Sequence, residues 1–461
     1  MTIARLSNSP FKAYDIRGQV PTELDETRAY DIGSAYAEVI QPQGPVVIGR
    51  DMRLSSETLS QALAKGLNDA GIDTLDIGLC GTELVYHAAS LEGMGGGIMV
   101  TASHNPADYN GMKMVREQAI PISADTGLKE IERLMAEGRT ELADRPRGKH
   151  DQLDVRESYR QRLLALIDAG SLKRLKLVVN AGNGCAGPVF DELAADLPLE
   201  VVRLHHEPDG TFPNGVPNPL LPENRAETAR AVIDNDADLG IAWDGDFDRC
   251  FFFDHRGRFI EGYYLVGLFA AQLLERHPGA KIVLDPRLTW NTLDLVAQAG
   301  GEALINKSGH AFIKERMRRE DAVYGGEMSA HHYFRDFSYC DSGMIPWLLL
   351  IERISSSGIS LAELVDARMT AFPCSGEINF SVHSTEDVIA AVLEVFADRT
   401  ARVDRTDGIS LEFADWRFNL RASNTEPVIR LNVETRADPE LLQARVDELS
   451  QLIEATGRQA G

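Results

Sequence analysis

Paired cysteines are missing from this chain. Its five cysteines (Cys80, Cys185, Cys250, Cys340 and Cys374) are scattered over 461 residues and form no C-x-x-C pair. That excludes a disulfide framework and a zinc-ribbon site, and it suits a reducing compartment. Long apolar runs are missing too. The most apolar stretch, Tyr263 to Leu274, is too short to span a bilayer. The first residues show no basic segment leading into an apolar core. Positive charge is scarce: 47 Lys and Arg stand against 70 Asp and Glu, a net charge of −23. Nucleic acid and anionic membrane are therefore not expected partners. An anionic small molecule is compatible, given a local cluster of Arg and Lys. No G-x-S-x-G elbow is present. The expectation is a soluble cytoplasmic protein.

With 44% hydrophobic and 25% charged residues, the chain is globular and long enough for about three or four domains. Short apolar runs alternate with helical stretches, an α/β signature. One helix is read from Leu59, Ala62, Leu63, Leu67 and Ala70, with Ser55 and Ser56 as N-caps and Gly71 as the stop. Val46–Ile48 and Thr74–Ile77 flank it as strands. A weak repeat follows. Three units open on strands at Val46–Ile48, Leu177–Val179 and Ile282–Leu284. They close on strands at Ile98–Val100, Leu239–Ala242 and Ala322–Tyr324, each running into a polar loop. The tail alternates at Trp416, Phe418, Leu420 and at Ile429, Leu431, Val433, two half-buried strands. An amphipathic helix through Leu441, Leu442, Val446, Leu449, Leu452 and Ile453 closes it. The predicted fold is α/β: three similar α/β domains with mixed sheets over 1–148, 149–254 and 255–370, plus a smaller C-terminal α+β domain over 371–461. Gly138 to Gln152 reads as the first linker.

Thr101-Ala102-Ser103-His104-Asn105-Pro106 follows one closing strand. Gly95, Gly96 and Gly97 before it let the backbone bend and a group approach. Ser103 thus lies at a strand end, where open α/β sheets bind ligands. It is either a capping hydroxyl or a nucleophile. Asp244-Gly245-Asp246-Phe247-Asp248-Arg249 sets three carboxylates at alternate positions, which suits Mg²⁺ or Ca²⁺. The bland alternative is a solvated acidic turn. An EF-hand fails at Arg249 and His255, whereas an aspartyl-phosphate phosphatase with Asp244 as nucleophile stays open. Gly326-Glu327-Met328-Ser329-Ala330-His331-His332 offers sugar hydroxyls an acceptor and a hydroxyl, or is an ordinary polar turn. Gly309-His310 closes the preceding strand, and a lone histidine is more often structural. Arg421, Ser423, Asn424 and Thr425 share one turn that converges on a phosphate or is simply an Asx turn. Arg17 precedes Gly18, and Lys113 follows Ser103 by ten residues; either can be a surface charge.

Together with Lys12-Ala13-Tyr14-Asp15-Ile16-Arg17-Gly18, these motifs in this order resemble the α-D-phosphohexomutase family, within it the phosphomannomutase and dual phosphomannomutase/phosphoglucomutase branch. Longer matching runs are Asn214 to Glu223, Phe259 to Tyr264 and Ala330 to Pro346, so the resemblance spans nearly the whole chain. It implies four domains around a central cleft and Ser103 carried as phosphoserine. It implies Mg²⁺ on Asp244, Asp246, Asp248 and a phosphoserine oxygen. Arg17, Lys113, Arg249 and His331 match catalytic positions. His310, Glu327 and Ser329 match sugar-reading positions; Tyr14, Arg421, Ser423, Asn424 and Thr425 match phosphate-binding ones. Two departures stand out: Ala330 where the loop usually carries Gly, and Arg287 where relatives often carry Lys.

The implied reaction moves the phosphoryl group of Ser103 onto a hexose 1- or 6-phosphate of mannose, and also of glucose. A hexose 1,6-bisphosphate forms, turns over, and returns its other phosphoryl group to Ser103. Arg17 and Arg249 stabilise charge, Lys113 or His331 moves the proton, and the C-terminal domain serves as lid. Phosphoglucosamine mutase is the sister reading, opposed by Met328. A serine hydrolase using Ser103 and His104 is opposed because adjacent residues do not easily pair. A non-catalytic sugar-phosphate binder has no need of both the serine and the acidic triplet.

Overall fold

A computed structural model describes residues 9–138, 146–400, 402–422 and 428–457. The chain divides into two compact units, residues 1–259 with 331–358, and residues 260–330 with 359–461.

The first unit is built on two mixed sheets. In the first, Val46–Arg50 pairs parallel with Thr74–Leu79 on one side and Gly96–Val100 on the other. Tyr109–Arg116 and then Ile16–Gln19 extend it antiparallel, and His150–Gln152 closes the far edge in parallel. The last strand lies inside the expected linker, so the linker is shorter than its composition suggested. Glycine sets the packing at two points. Gly33 and Gly66 let helices Glu26–Ile40 and Ser56–Asp69 touch, since a Cβ on Gly66 would lie 2.0 Å from Tyr30 O. Gly96 and Gly97 are strand residues, not a bend; a Cβ on Gly97 would crowd Val85 and Ala89 of helix Thr82–Ala89. The apolar runs of these strands bury as their patterning predicts, with Val46, Ile48, Ile98 and Val100 in one core with Leu59, Leu63 and Leu67. In the second sheet Leu175–Asn180 lies between Leu199–Leu204 and Leu239–Trp243, both parallel, and Cys250–Asp254 joins antiparallel. The antiparallel pair His332–Phe334 and Cys340–Asp341 also belongs to this unit.

In the second unit Lys281–Leu284 pairs parallel with Glu302–Ile305 and with Tyr324–Gly326. The closing strand thus starts two residues later than Ala322, because its glycines carry no apolar signal. The C-terminal sheet runs Ile378–Ser381, Val428–Thr435, Trp416–Ala422, Ile409–Glu412, Arg402–Asp404, all antiparallel. Helices Thr385–Phe396 and Pro439–Gly457 cover one face. Trp416–Ala422 is not half-buried as expected. Arg417 and Asn419 are buried too, and each donates to a polar partner, Arg417 to Glu434 Oε1 at 2.6 Å and Asn419 Nδ2 to Ser410 Oγ at 3.0 Å. Among the described residues, no helix is long and apolar enough to cross a membrane.

Candidate active site

Ser103 lies just past strand Gly96–Val100, in a loop organised by Arg53. The buried Arg53 guanidinium donates from Nη1 to Pro106 O (2.6 Å) and Tyr109 O (2.9 Å), and from Nη2 to Ser103 O (2.9 Å) and Asn105 O (2.6 Å). Its Nε faces Asp51 Oδ2 at 3.3 Å, and the Phe212 ring lies against it at 5.2 Å. A rigid, planar fork of donors is suited to gathering carbonyls in this way. Sequence reasoning missed Arg53. Its only signal was a strand-end position in Arg50-Asp51-Met52-Arg53, and its loop partners lie 50 to 56 residues away. Ser103 itself has φ +51°, the left-handed region that non-glycine residues seldom adopt. Its Oγ donates to Asp244 Oδ2 at 2.7 Å.

The acidic loop follows strand Leu239–Trp243 and is bent inward at Phe247, φ +45°. Gly245 touches the serine loop: a Cβ there would lie 2.6 Å from Ser103 O. Asp244, Asp246 and Asp248 are all buried, and one oxygen of each lies within 4.8 Å of the others. The solvated-turn reading is thereby excluded. Asp246 Oδ1 is buried with no hydrogen-bond partner among the described residues. Asp248 Oδ1 is likewise without a hydrogen-bond partner among the described residues. Converging hard oxygens, two of them orphaned, fit a divalent cation.

Cations and hydroxyls hold Asp244 Oδ2, Asp246 Oδ2 and Asp248 Oδ2. Thr82 Oγ1 donates to Asp246 Oδ2 (2.5 Å). Lys113 Nζ, on strand Tyr109–Arg116, donates to Asp246 Oδ2 (2.6 Å) and to Asp248 Oδ2. Arg249 reaches Asp244 Oδ2 from Nε (2.9 Å) and Nη2 (2.6 Å), and its Nη2 lies 3.3 Å from Ser103 Oγ. A β-bridge to Arg249 brings His331 in, with Nε2 3.6 Å from Asp248 Oδ1. Arg17 donates to Asn105 Oδ1 (2.7 Å) and is held by Asp15. Tyr14 sits half-buried on the bend before Arg17's strand. Burial pushes the Asp244 carboxyl up, with Arg249 opposing. Burial acts the same way on Asp248, but Lys113, His331 and Arg249 outweigh it and hold that carboxyl well below the usual range. Burial disfavours the Lys113 ammonium, yet Asp246 and Asp248 outweigh it and raise its pKa.

His104 corrects one expectation. Adjacency does not keep it from the serine: its Nδ1 is 3.1 Å from Ser103 Oγ. The same Nδ1 accepts from Arg249 Nη2, however, and burial with the Arg249 and Arg17 charges holds the imidazolium pKa well below its ordinary value. A ring that resists protonation this strongly is a poor general base.

The second unit gathers the other predicted residues. His310 does not end a strand; it opens helix His310–Glu320, and the N–H of Gly309 before it donates to Glu327 Oε1 at 2.9 Å. Arg287 Nη2 binds Asp285 Oδ2 (2.8 Å) and Ser329 Oγ (3.2 Å) and lies 3.6 Å from Glu327 Oε1. Arg287 thus ties both sugar-loop side chains together. Arg421 is the penultimate residue of strand Trp416–Ala422 and lies 3.5 Å from Glu377 Oε2, a carboxylate that sequence reasoning also missed. Ser423, Asn424 and Thr425 fall outside the described residues.

Known proteins are similar to this chain along nearly its whole length. The descriptions "Phosphoglucomutase/phosphomannomutase, alpha/beta/alpha domain" I, II and III match residues 8–141, 157–257 and 261–372, and the corresponding C-terminal domain matches 377–452. A protein of Xanthomonas campestris pv. campestris named "Phosphohexose mutases" is 60% identical over 443 residues, 96% of this chain and 98% of that one. A "Phosphomannomutase" of Salmonella montevideo is 60% identical over 449 residues, with the same coverage. Among solved structures, a phosphoglucomutase/phosphomannomutase family protein from Burkholderia thailandensis superposes with a TM-score of 0.88 at 34% identity, covering 99% of each chain.

Proposed function

From the premise that this chain belongs to the phosphoglucomutase/phosphomannomutase family, we propose that it is a phosphomannomutase working through a phosphorylated Ser103. The observation that carries the mechanism is the Ser103 Oγ to Asp244 Oδ2 contact of 2.7 Å, which sets the serine against the acidic triplet. The orphaned Asp246 Oδ1 supports Asp244, Asp246 and Asp248 as the ligands of Mg²⁺. Mg²⁺ held there supplies charge neutralisation at the transferring phosphoryl oxygens.

The remaining steps belong to the chain's own groups. A hydroxyl oxygen of the hexose phosphate attacks phosphorus, and the Ser103 Oγ–P bond breaks. Arg249 Nη2, 3.3 Å from Oγ, stabilises the departing serine oxyanion, and Arg17 steadies the loop through Asn105. Lys113, bonded to Asp246 and Asp248, and His331, with Nε2 3.6 Å from Asp248 Oδ1, are the two candidates for taking the hydroxyl proton. The product of this half-reaction is a hexose 1,6-bisphosphate. In the return half, its other phosphoryl group passes to Ser103, and the group that took the proton gives it back.

Glu327 and Ser329 read sugar hydroxyls, and the Gly309 N–H and Arg287 hold them in place. Turning the sugar end for end nearly interchanges O3 and O4. A loop that reads those two hydroxyls tolerates either configuration at C2, so glucose phosphates are accepted with mannose phosphates. A coupled assay of kcat/KM for mannose 1-phosphate and glucose 1-phosphate tests this. Values within about tenfold are expected; a gap of several orders of magnitude removes the glucose activity from the proposal.

A further inference from the structure

Glu377 immediately precedes strand Ile378–Ser381, at the start of the C-terminal domain. Three guanidinium groups meet on its carboxylate. Arg287 Nη1 approaches Oε2 at 3.4 Å, Arg421 Nη2 approaches Oε2 at 3.5 Å, and Arg430 Nη1 approaches Oε1 at 3.3 Å. All three distances exceed the ~2.7–2.9 Å of a well-made guanidinium–carboxylate bond. Two flat oxygens do not satisfy three forks at once. Arg287 and Arg421 are almost fully buried, and the Nε atom of each has no hydrogen-bond partner among the described residues. The cations also crowd one another. Burial and then the Arg287 charge lower the pKa of Arg421, with Glu377 opposing. A cluster of this kind suits a larger anion with more oxygens than a carboxylate carries. Arg421 is also the residue that leads into the expected phosphate-reading turn.

We propose that Glu377 is the resident anion of this guanidinium cluster, displaced by the phosphate group of the substrate that is not being transferred. The inference rests on the mutase reading above and adds a role that reading does not require. A phosphate has three terminal oxygens in a tetrahedral spread and can meet the three guanidiniums at shorter distances. Binding must first separate Glu377 from them, which weakens apparent affinity by the fraction of molecules in which the cluster is open. The same carboxylate returns when the product leaves, so it favours release. Glu377 is a positioning residue in this account and touches no reacting atom.

Glu377→Gln keeps the shape and removes the charge. Titration with inorganic phosphate by calorimetry should show binding about three- to tenfold tighter than in the parent protein. KM for mannose 1-phosphate should fall by a similar factor, and kcat should stay level or fall as release slows. Arg421→Ala, titrated alongside, should abolish the tightening. A residue that merely braced the arginines would give the opposite sign: weaker phosphate binding and a raised KM. That result, or unchanged phosphate affinity in a variant that melts with the parent protein, overturns the proposal. Glu377→Ala is the second variant and should shift phosphate affinity in the same direction. The phosphate titration needs no turnover. Absence of mutase activity in the parent protein would therefore refute the functional reading and leave this result to be judged separately.

Discussion

Replacing Arg53 with Met removes a guanidinium while keeping a stem of similar length. The change takes four donors away from Ser103 O, Asn105 O, Pro106 O and Tyr109 O. It also leaves Asp51 buried without its ion-pair partner, although Ser56 Oγ still donates to Asp51 Oδ1 at 2.5 Å. Breaking one side of a buried pair costs about 3–5 kcal/mol. The lost carbonyl bonds belong to the same unit and do not simply add. At about 2–4 °C per kcal/mol for a domain of this size, melting should fall by roughly 6–20 °C. Function should suffer more. The serine loop would lose the group that fixes Ser103 in its left-handed conformation, and a displacement near 1 Å costs on the order of 10²-fold in rate. Arg53→Lys should recover part of the stability but little of the rate, because an ammonium cannot span four carbonyls. The assay is kcat and KM for mannose 1-phosphate beside thermal melting. Arg53→Met with kcat within about twofold of the parent protein would refute the claim that Arg53 shapes the serine loop.

Glu83 carries a pH prediction. Burial pushes its carboxyl up to about 8, against donors from Ser342, Tyr159 and Gly343. A carboxyl raised on folding binds its proton more tightly in the native state. Its stability contribution is complete at low pH and is lost between the ordinary glutamate value and about 8. Thermal melting of the parent protein should thus decline across that window, and Glu83→Gln should flatten the slope; an equal slope in both contradicts the assignment. Chelation with EDTA should remove activity and Mg²⁺ should restore it, whereas full turnover after exhaustive chelation would exclude a metal role for the aspartates. Asp246→Asn should raise the Mg²⁺ concentration for half-maximal rate by about tenfold or more, because it removes a charged ligand from the triplet.

Much of the fold is legible in the sequence because its apolar runs are continuous. Val46–Ile48, Leu177–Val179 and Leu239–Ala242 are each contained in an observed strand. Legibility fails where the signal is glycine or pairing. Tyr324–Gly326 is a strand with glycine at two of three positions, so its apolar reading slid back to Ala322. Arg417 and Asn419 read as solvent-facing but are buried against distant polar partners. Ser55 and Ser56 look like caps for helix Ser56–Asp69, yet Ser55 makes no side-chain cap bond and Ser56 Oγ goes to Asp51. The site divides the same way. Ser103 and the three aspartates were visible because their chemistry is concentrated within a few residues. Arg53, Thr82 and Glu377 were not, because each acts on groups 44 to 164 residues away: 44 residues separate Glu377 from Arg421, and 164 separate Thr82 from Asp246. A single arginine, threonine or glutamate carries no local pattern that announces such a partner.

The most direct test is the intact mass of the purified protein, measured before and after incubation with a hexose 1,6-bisphosphate, with Ser103→Ala measured beside it. The account predicts a single phosphoryl group on the parent protein that maps to Ser103, none on the variant, and no mutase turnover by the variant. Sustained turnover by Ser103→Ala, or a phosphoryl group mapped to Asp244 instead, would contradict it.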